Sequence, residues 1–277
     1  MPLPPLPVDR ACPPSTPNPE VRVEVVETGR LQNSWQRVVD DGTKGPIEMP
    51  LLVGVIHDAD TTVLVDSGLG LSTREGTYPH FPFTAFGELE VPPGQAMVER
   101  LDHPPDLVLM THLHYDHVGG LLDMPGVPVW TTEADWRTYG GGALGFPPRL
   151  KHAADWRVQP LRAGEATQVL GRPALDALGD GSIWYLSLPG HTPGAAGVLV
   201  RAEDGPWLFV GDTAWVDRHL GTARRPFLTR TLIDAQLKDE RESLEWARWM
   251  KQSCPDLHVI AGHEPGLAPG VSSRPRP

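Results

Sequence analysis

Cysteine is nearly missing from this chain: Cys12 and Cys254 are the two among 277 residues. So few cysteines exclude a disulfide framework and any C-x-x-C redox or metal motif. Also absent is any run of the ~20 apolar residues that a membrane span requires. The opening stretch, MPLPPLPVDRACPPSTPNPE, has neither the basic nor the apolar region of a secretory signal. The expectation is therefore a soluble, cytoplasmic protein. An excess of positive charge is lacking too. At −11 the chain repels polyanions at long range, which makes nucleic acid a poor partner. Arg224-Arg225 reads as a solvated pair, with capture of a single anion as the alternative.

Proline (31) and glycine (29) are abundant, and because they follow no triplet period they signal turns and loops rather than collagen. The Pro-rich residues 1–20 can neither nucleate a helix nor pair in a central strand, so a disordered or extended arm is expected. Strands are expected at Val21–Glu27, at Leu51–Ile56 and Thr62–Val65 as a hairpin turning through His57–Asp60, and at Asp106–Met110. Further strands are read at Val127–Trp130, Ile183–Leu188, in a second hairpin within GVLVRAEDGPWLFVGD, and at Leu257–Gly262. Helices are expected at Thr132–Tyr139 and over IDAQLKDERESLEWARWMKQS (Ile233–Ser253), where Ile233, Leu237, Leu244 and Ala247 form one stripe. Pro255 should end that helix at Cys254. Strands dominate, so an α/β or α+β arrangement is expected, with two sheets burying against each other and helices outside. Long loops fall at Gly68–Gly94, Gly140–Pro148 and Val216–Arg230. The first carries Tyr78, Phe81, Phe83 and Phe86, which either line a pocket or pin the loop.

THLHYDHVGG, from Thr111 to Gly120, crowds three of the 11 histidines and an aspartate into six positions. Buried imidazoles without partners are destabilising, and H-x-H-x-D-H supplies the nitrogen and carboxylate donors that zinc-like ions take. His112 and His114, two apart in an extended segment, point to one side. Asp116 and His117 need a turn to join them, which Gly119-Gly120 make easy. The two pairs then face a common space and can serve two ions. Chance would produce the pattern in roughly one such chain in a thousand. Three further signals, PGHTPG with His191, VGDTA with Asp212 and AGHEPG with His263, each place a donor directly after a glycine. His57, His80, His103, His152 and His258 read as ordinary loop or strand residues, whereas His219 could reach substrate.

This ordered set resembles the metallo-β-lactamase superfamily, and the resemblance runs from about Val21 to Pro265. It implies an αββα sandwich of two mixed sheets flanked by helices. Residues 21–265 would then form a single catalytic domain, and 266–277 a flexible tail. Carried over residue by residue, it makes His112, His114 and His191 ligands of one metal and Asp116, His117 and His263 ligands of the other. Asp212 would bridge them, with Asp66 of LVDSG supporting the ligands from behind. The implied cofactors are two divalent ions, zinc first, with iron, manganese or cobalt as alternatives. Asp116 and Asp212 would take part in catalysis by a bridging hydroxide. Trp215, His219, Phe81, Phe83 and Phe86 are candidate substrate contacts.

Within the superfamily, true β-lactamases usually carry Cys or Ser at the Asp212 position. Glyoxalase II adds a C-terminal helical domain, flavodiiron proteins place Glu where His114 stands, and the RNA-processing branch prefers a basic surface. The remaining pattern is similar to the N-acyl homoserine lactonases and related esterases. It departs from them at Trp215, where the best-known lactonases have tyrosine, and at Ala195, where many relatives have histidine. The implied function is a metal-dependent hydrolase that opens an ester or lactone. The alternatives are a phosphodiester or phosphotriester hydrolase using Arg218, Arg224 and Arg225, and an iron-loaded redox member. A small-molecule substrate is the expected partner, without nucleic acid or membrane, and a homodimer is kept open.

Overall fold

The computed structural model describes residues 11–79, 87–142, 146, 149–162 and 164–267. Most interior strands are apolar and buried on both faces, so successive side chains feed two different cores, and that builds the layers. The first sheet contains β1 (Val21–Ser34), β2 (Pro46–Asp58), β3 (Thr61–Val65), β4 (Glu88–Glu90), β5 (Leu107–Leu109), β6 (Pro128–Thr132) and β7 (Asp155–Gln159), in the order β4-β1-β2-β3-β5-β6-β7. The second contains β8 (Thr167–Val169), β9 (Arg172–Asp176), β10 (Ile183–Ser187), β11 (Ala196–Ala202), β12 (Gly205–Phe209) and β13 (His258–Ile260), in the order β13-β12-β11-β10-β9-β8. Both sheets are mixed. β3, β5, β6 and β7 run parallel, as do β12 and β13, while the other pairs are antiparallel.

Val63, Val65, Leu107 and Leu109 face Tyr185, Val198, Val200 and Phe209 across the space between the sheets. The intervening residues Leu64 and Val108 point the other way and pack with Val118, Leu121 and Leu150. On the outer face of the second sheet, Leu186, Leu199 and Leu208 meet Leu244, Trp246, Ala247 and Met250 of the helix Leu237–Ser253. The result is the expected αββα order. The ends of β3, β5, β10, β12 and β13 all feed loops at one edge of the sandwich, which is where the motif residues lie.

The expected helix Ile233–Ser253 begins only at Leu237 and runs to Ser253, while Ile233 closes a separate helix, Phe227–Ile233. Asp234 is extended at φ −83°, ψ 124°. The next two amides leave the helical pattern as well, Ala235 donating to His191 O and Gln236 to Gly190 O. Docking onto the His191 loop therefore overrides local helical preference. The strands β4, β7, β8 and β9 were not expected. They are short, polar or Pro-containing, and three of them lie at sheet edges, where one-sided pairing leaves no apolar alternation to read.

The cysteines need correction, because Cys12 and Cys254 are joined by a disulfide with Cα atoms 5.5 Å apart, across 242 residues of chain. Such bonds persist in oxidising compartments, which sets this feature against the cytoplasmic expectation. The described part of the N-terminal arm has no regular structure before a turn at Pro19–Glu20, and it is tied down. Ser15 Oγ bonds Asp256, and Asn18 N donates to Ala202 O. No helix among the described residues is long and apolar enough to cross a membrane.

Candidate metal centre

The extended residues after β5 carry His112 and His114 to the sheet edge, and the short helix Tyr115–Val118 then turns Asp116 and His117 back toward them. The two glycines that follow do less bending than the sequence suggests. Gly119 has ordinary helical angles, and Gly120 is needed for closeness, since a Cβ there would sit 2.3 Å from Ser67 O. At the end of β3, Asp66 adopts φ 63°, a left-handed conformation unusual for a non-glycine residue and typical of functional sites. Its carboxylate accepts from Thr111 N and Thr111 Oγ1, both at 2.7 Å, and faces His117 Nδ1 at 2.8 Å.

All seven residues expected as ligands come together. His112, His114 and His191 form one group, His112, His117 and Asp212 a second, and Asp116, His117 and His263 a third, with the ligand atoms in each within 4.8 Å of one another. His114 Nδ1 lies 3.1 Å from His112 Nε2 and 3.0 Å from His191 Nε2. Asp212 stands between the two triads. Its Oδ2 is 3.3 Å from His191 Nε2 and 3.9 Å from His112 Nε2, while its Oδ1 is 3.1 Å from His263 Nε2 and 3.4 Å from His117 Nε2.

Four imidazoles are held by the nitrogen that points away from the cluster. Nδ1 of His112 meets Thr111 Oγ1, that of His117 meets Asp66, that of His191 meets Asp234 Oδ1 at 2.9 Å, and that of His263 meets Pro50 O at 3.1 Å. With a cation bound, each ring would donate from Nδ1 to the acceptor behind it and turn its Nε2 lone pair inward. Asp135, buried beneath the loops, accepts from Leu113 N, Thr192 Oγ1 and Gly194 N and so ties the His112–His114 segment to the His191 loop.

The residues fit a bound cation. His117 Nε2 and Asp212 Oδ1 are buried and find no hydrogen-bond partner, an arrangement that is costly unless a metal takes both. Donor atoms ~2.0–2.2 Å from one ion stand roughly 3 Å apart, close to the spacing seen. Electrostatics divide the cluster. Burial and the neighbouring imidazoles push His112 and His114 well below the usual imidazole range. Burial would lower His117 and His263 as well, but the carboxylates around them outweigh it and hold both above that range. Asp212, despite its burial, is held well below the usual carboxylate range by His263, His117 and His191.

Three expectations change. His219 is buried with both ring nitrogens used: Trp215 N donates to Nδ1, and Nε2 donates to Val38 O. It supports the main chain and leaves neither ring nitrogen free to bond a substrate. The Trp215 indole N–H donates to Asp212 Oδ2 at 2.8 Å, so it holds the carboxylate and is not free for substrate. Arg225, read as half of a solvated pair, is buried among Asp234, Glu240 and Asp212 O. Sequence reading missed Asp234, Arg225 and Asp135; a lone Asp or Arg without a motif carries no signal of its destination. Phe81, Phe83 and Phe86 lie outside the described residues.

A two-sheet sandwich that gathers five imidazoles and two carboxylates at the carboxyl ends of its strands defines the class, that of metallo-hydrolases. Residues 61–262 match the model of the beta-lactamase superfamily domain. The chain belongs to that superfamily and is one of its hydrolases. It is 29% identical over 259 residues to a probable metallo-hydrolase of Mycobacterium tuberculosis, covering 82% of this chain and 79% of that one. It is 23% identical over 278 residues to the N-acyl homoserine lactonase AttM of Azorhizobium caulinodans, covering 92% and 98%. The same fold is seen in a solved N-acyl homoserine lactone hydrolase with N-hexanoyl-L-homoserine, its product, at the catalytic metal center. The TM-score is 0.70 and the identity 15%, covering 88% of this chain and 93% of that one.

Proposed function

We propose that the chain is a dinuclear, zinc-dependent hydrolase that opens a lactone or a related carboxylic ester. The observation that carries this reading is Asp212, whose two oxygens face different histidine groups, a placement that would let one carboxylate serve both ions. Likeness to lactonases in sequence and fold supports the choice of substrate. When bound, a pair of divalent cations supplies hydroxide near neutral pH and polarises the carbonyl under attack.

The protein's part is to hold that arrangement without reorganisation. His112, His114 and His191 would take one ion and Asp116, His117 and His263 the other. Asp66 orients His117, and the Trp215 N–H keeps Asp212 from rotating. Asp116, at the mouth of its triad and 3.9 Å from both His117 Nε2 and His263 Nε2, is placed to accept a proton as the nucleophile forms. The phosphodiester alternative loses its charge argument. Arg218 pairs with Asp41, Arg224 with Glu245, and Arg225 is buried.

The test is a substrate panel run on protein of known metal content, with short- and long-chain lactones, a thioester, a β-lactam and an aryl phosphodiester. Lactone or ester turnover should exceed diester turnover by orders of magnitude, and Asp212→Ala should lose metal and turnover together. Full activity in a metal-free Asp212→Ala protein would refute the mechanism. Preferential diester cleavage would refute the substrate class.

A further inference from the structure

Behind the metal centre lies one fully enclosed cation, the guanidinium of Arg225. Its Nη2 and Nε meet the two oxygens of Asp234 at 2.9 and 3.3 Å, its Nη1 donates to the main-chain oxygen of Asp212 at 2.8 Å, and Nη2 also meets Glu240 Oε1 at 3.2 Å. Its carbon sits 5.0 Å from the centre of the Trp215 ring, the ring whose N–H holds Asp212 Oδ2. A single side chain thus grips the carboxylate behind His191, the backbone of Asp212 and the indole on the Asp212 carboxylate. Among the described residues, the histidines of the other triad rest on different groups. His117 rests on Asp66 and His263 on Pro50 O.

We infer that Arg225, acting through Asp234, is a positioning residue that sets the occupancy of one of the two ion positions, the one formed by His112, His114 and His191 with Asp212. This rests on the two-ion reading above. The physical argument concerns orientation. Buried ion networks are poor sources of net stability compared with apolar packing, but a guanidinium offers several fixed donors in one plane. Here it uses them on Asp234, which backs a histidine of one ion position alone, and on the backbone of Asp212, which both positions share. Without it, Asp234 could rotate away from His191 Nδ1 and the Asp212 loop would lose its backbone anchor. Outer partners of this kind alter metal affinity ~10–100-fold.

The test is stepwise cobalt or zinc uptake by apo-protein in competition with a chromophoric chelator, with the cobalt visible spectrum recorded in parallel. Wild type should bind two ions. Arg225→Met and Asp234→Asn should each weaken the same one of the two about 10-fold or more, and the double variant should be no worse than the poorer single one. Arg225→Lys, which keeps the charge but not the fork, should recover part of the loss. Asp66→Asn should weaken chiefly the other ion, because Asp66 faces His117 directly and reaches His112 only through Thr111. If Arg225→Met does not fold, Arg225→Lys and Asp234→Asn decide the question. Wild-type affinities for both ions in those variants, or additive losses in the double variant, overturn the assignment of Arg225 while leaving the two-ion reading in place. A wild-type protein that takes up no metal overturns both.

Discussion

Among individual residues, Asp66 and His219 show how alike two buried polar groups can look in sequence and how differently they act. Asp66 accepts hydrogen bonds from Thr111 while it orients His117. Asp66→Ala should therefore cost metal affinity ~10–100-fold and leave a folded protein, which a chelator competition and a circular-dichroism melt check together. His219 is enclosed, and burial, helped by the nearby Arg225, pushes it down to about 3. An unfolded histidine titrates near ~6.5, so between these values the unfolded chain binds the extra proton. The stability that neutral His219 contributes is present above ~6.5 and is lost as pH falls toward about 3. Urea midpoints should drop between about pH 7.5 and pH 5, and His219→Gln should flatten that slope. An unchanged slope would show that another group controls it. The legible part at this scale was the group His112, His114, Asp116 and His117, because His and Asp crowded at short spacing are hard to satisfy without a metal; His191, Asp212 and His263 joined it through the resemblance. The supports were not legible, since Asp234 and Arg225 gain meaning from a contact that no local pattern encodes.

Elements are governed by close approach. The helix after His114 and its continuation through Gly119-Gly120 press against the loop that follows Asp66; Gly120 N donates to Gly68 O and Ser67 Oγ donates to His117 O. With Ser67 O 2.3 Å from where a Cβ would stand, Gly120→Ala must move one loop or the other. A loss of about 1–3 kcal/mol is expected, read as a lower urea midpoint together with weaker metal binding. If Gly120→Ala matched wild type in both, the contact would not matter. The break between Phe227–Ile233 and Leu237–Ser253 belongs at this scale as well. Helical periodicity across Ile233 and Leu237 is genuine, yet hydrogen bonds from Ala235 and Gln236 to the His191 loop outweigh it, and a period-based reading cannot foresee partners more than forty residues away. Thr132, expected as the first helical residue, instead caps the helix Glu133–Tyr139, its hydroxyl accepting from Asp135 N.

For the molecule as a whole, the Cys12–Cys254 bond closes 242 residues of chain. Loop-closure entropy in the unfolded state grows with such length, and breaking a bond of this kind typically costs about 2–4 kcal/mol. Reduction, or Cys12→Ser, should lower the urea midpoint without altering metal stoichiometry, because the bond lies at the far end of the long helix from Gly190 and Gln236. An unchanged midpoint would mean that the arm's own contacts, Ser15 with Asp256 and Asn18 with Ala202, already hold it.

Sequence alone indicated most of the interior strands and the crowded donors His112, His114, Asp116 and His117, while the layer order and the full ligand set were implied by the resemblance those motifs carry. Apolar alternation and donor spacing are local properties, and each follows from the geometry of one extended or helical segment. Only the tertiary structure decided which edges pair, where the long helix starts, that two cysteines at opposite ends of the chain meet, and that Arg225 lies buried behind Asp212. Each of those outcomes depends on groups distant in sequence, and its free energy exists only once the two sheets have closed against each other.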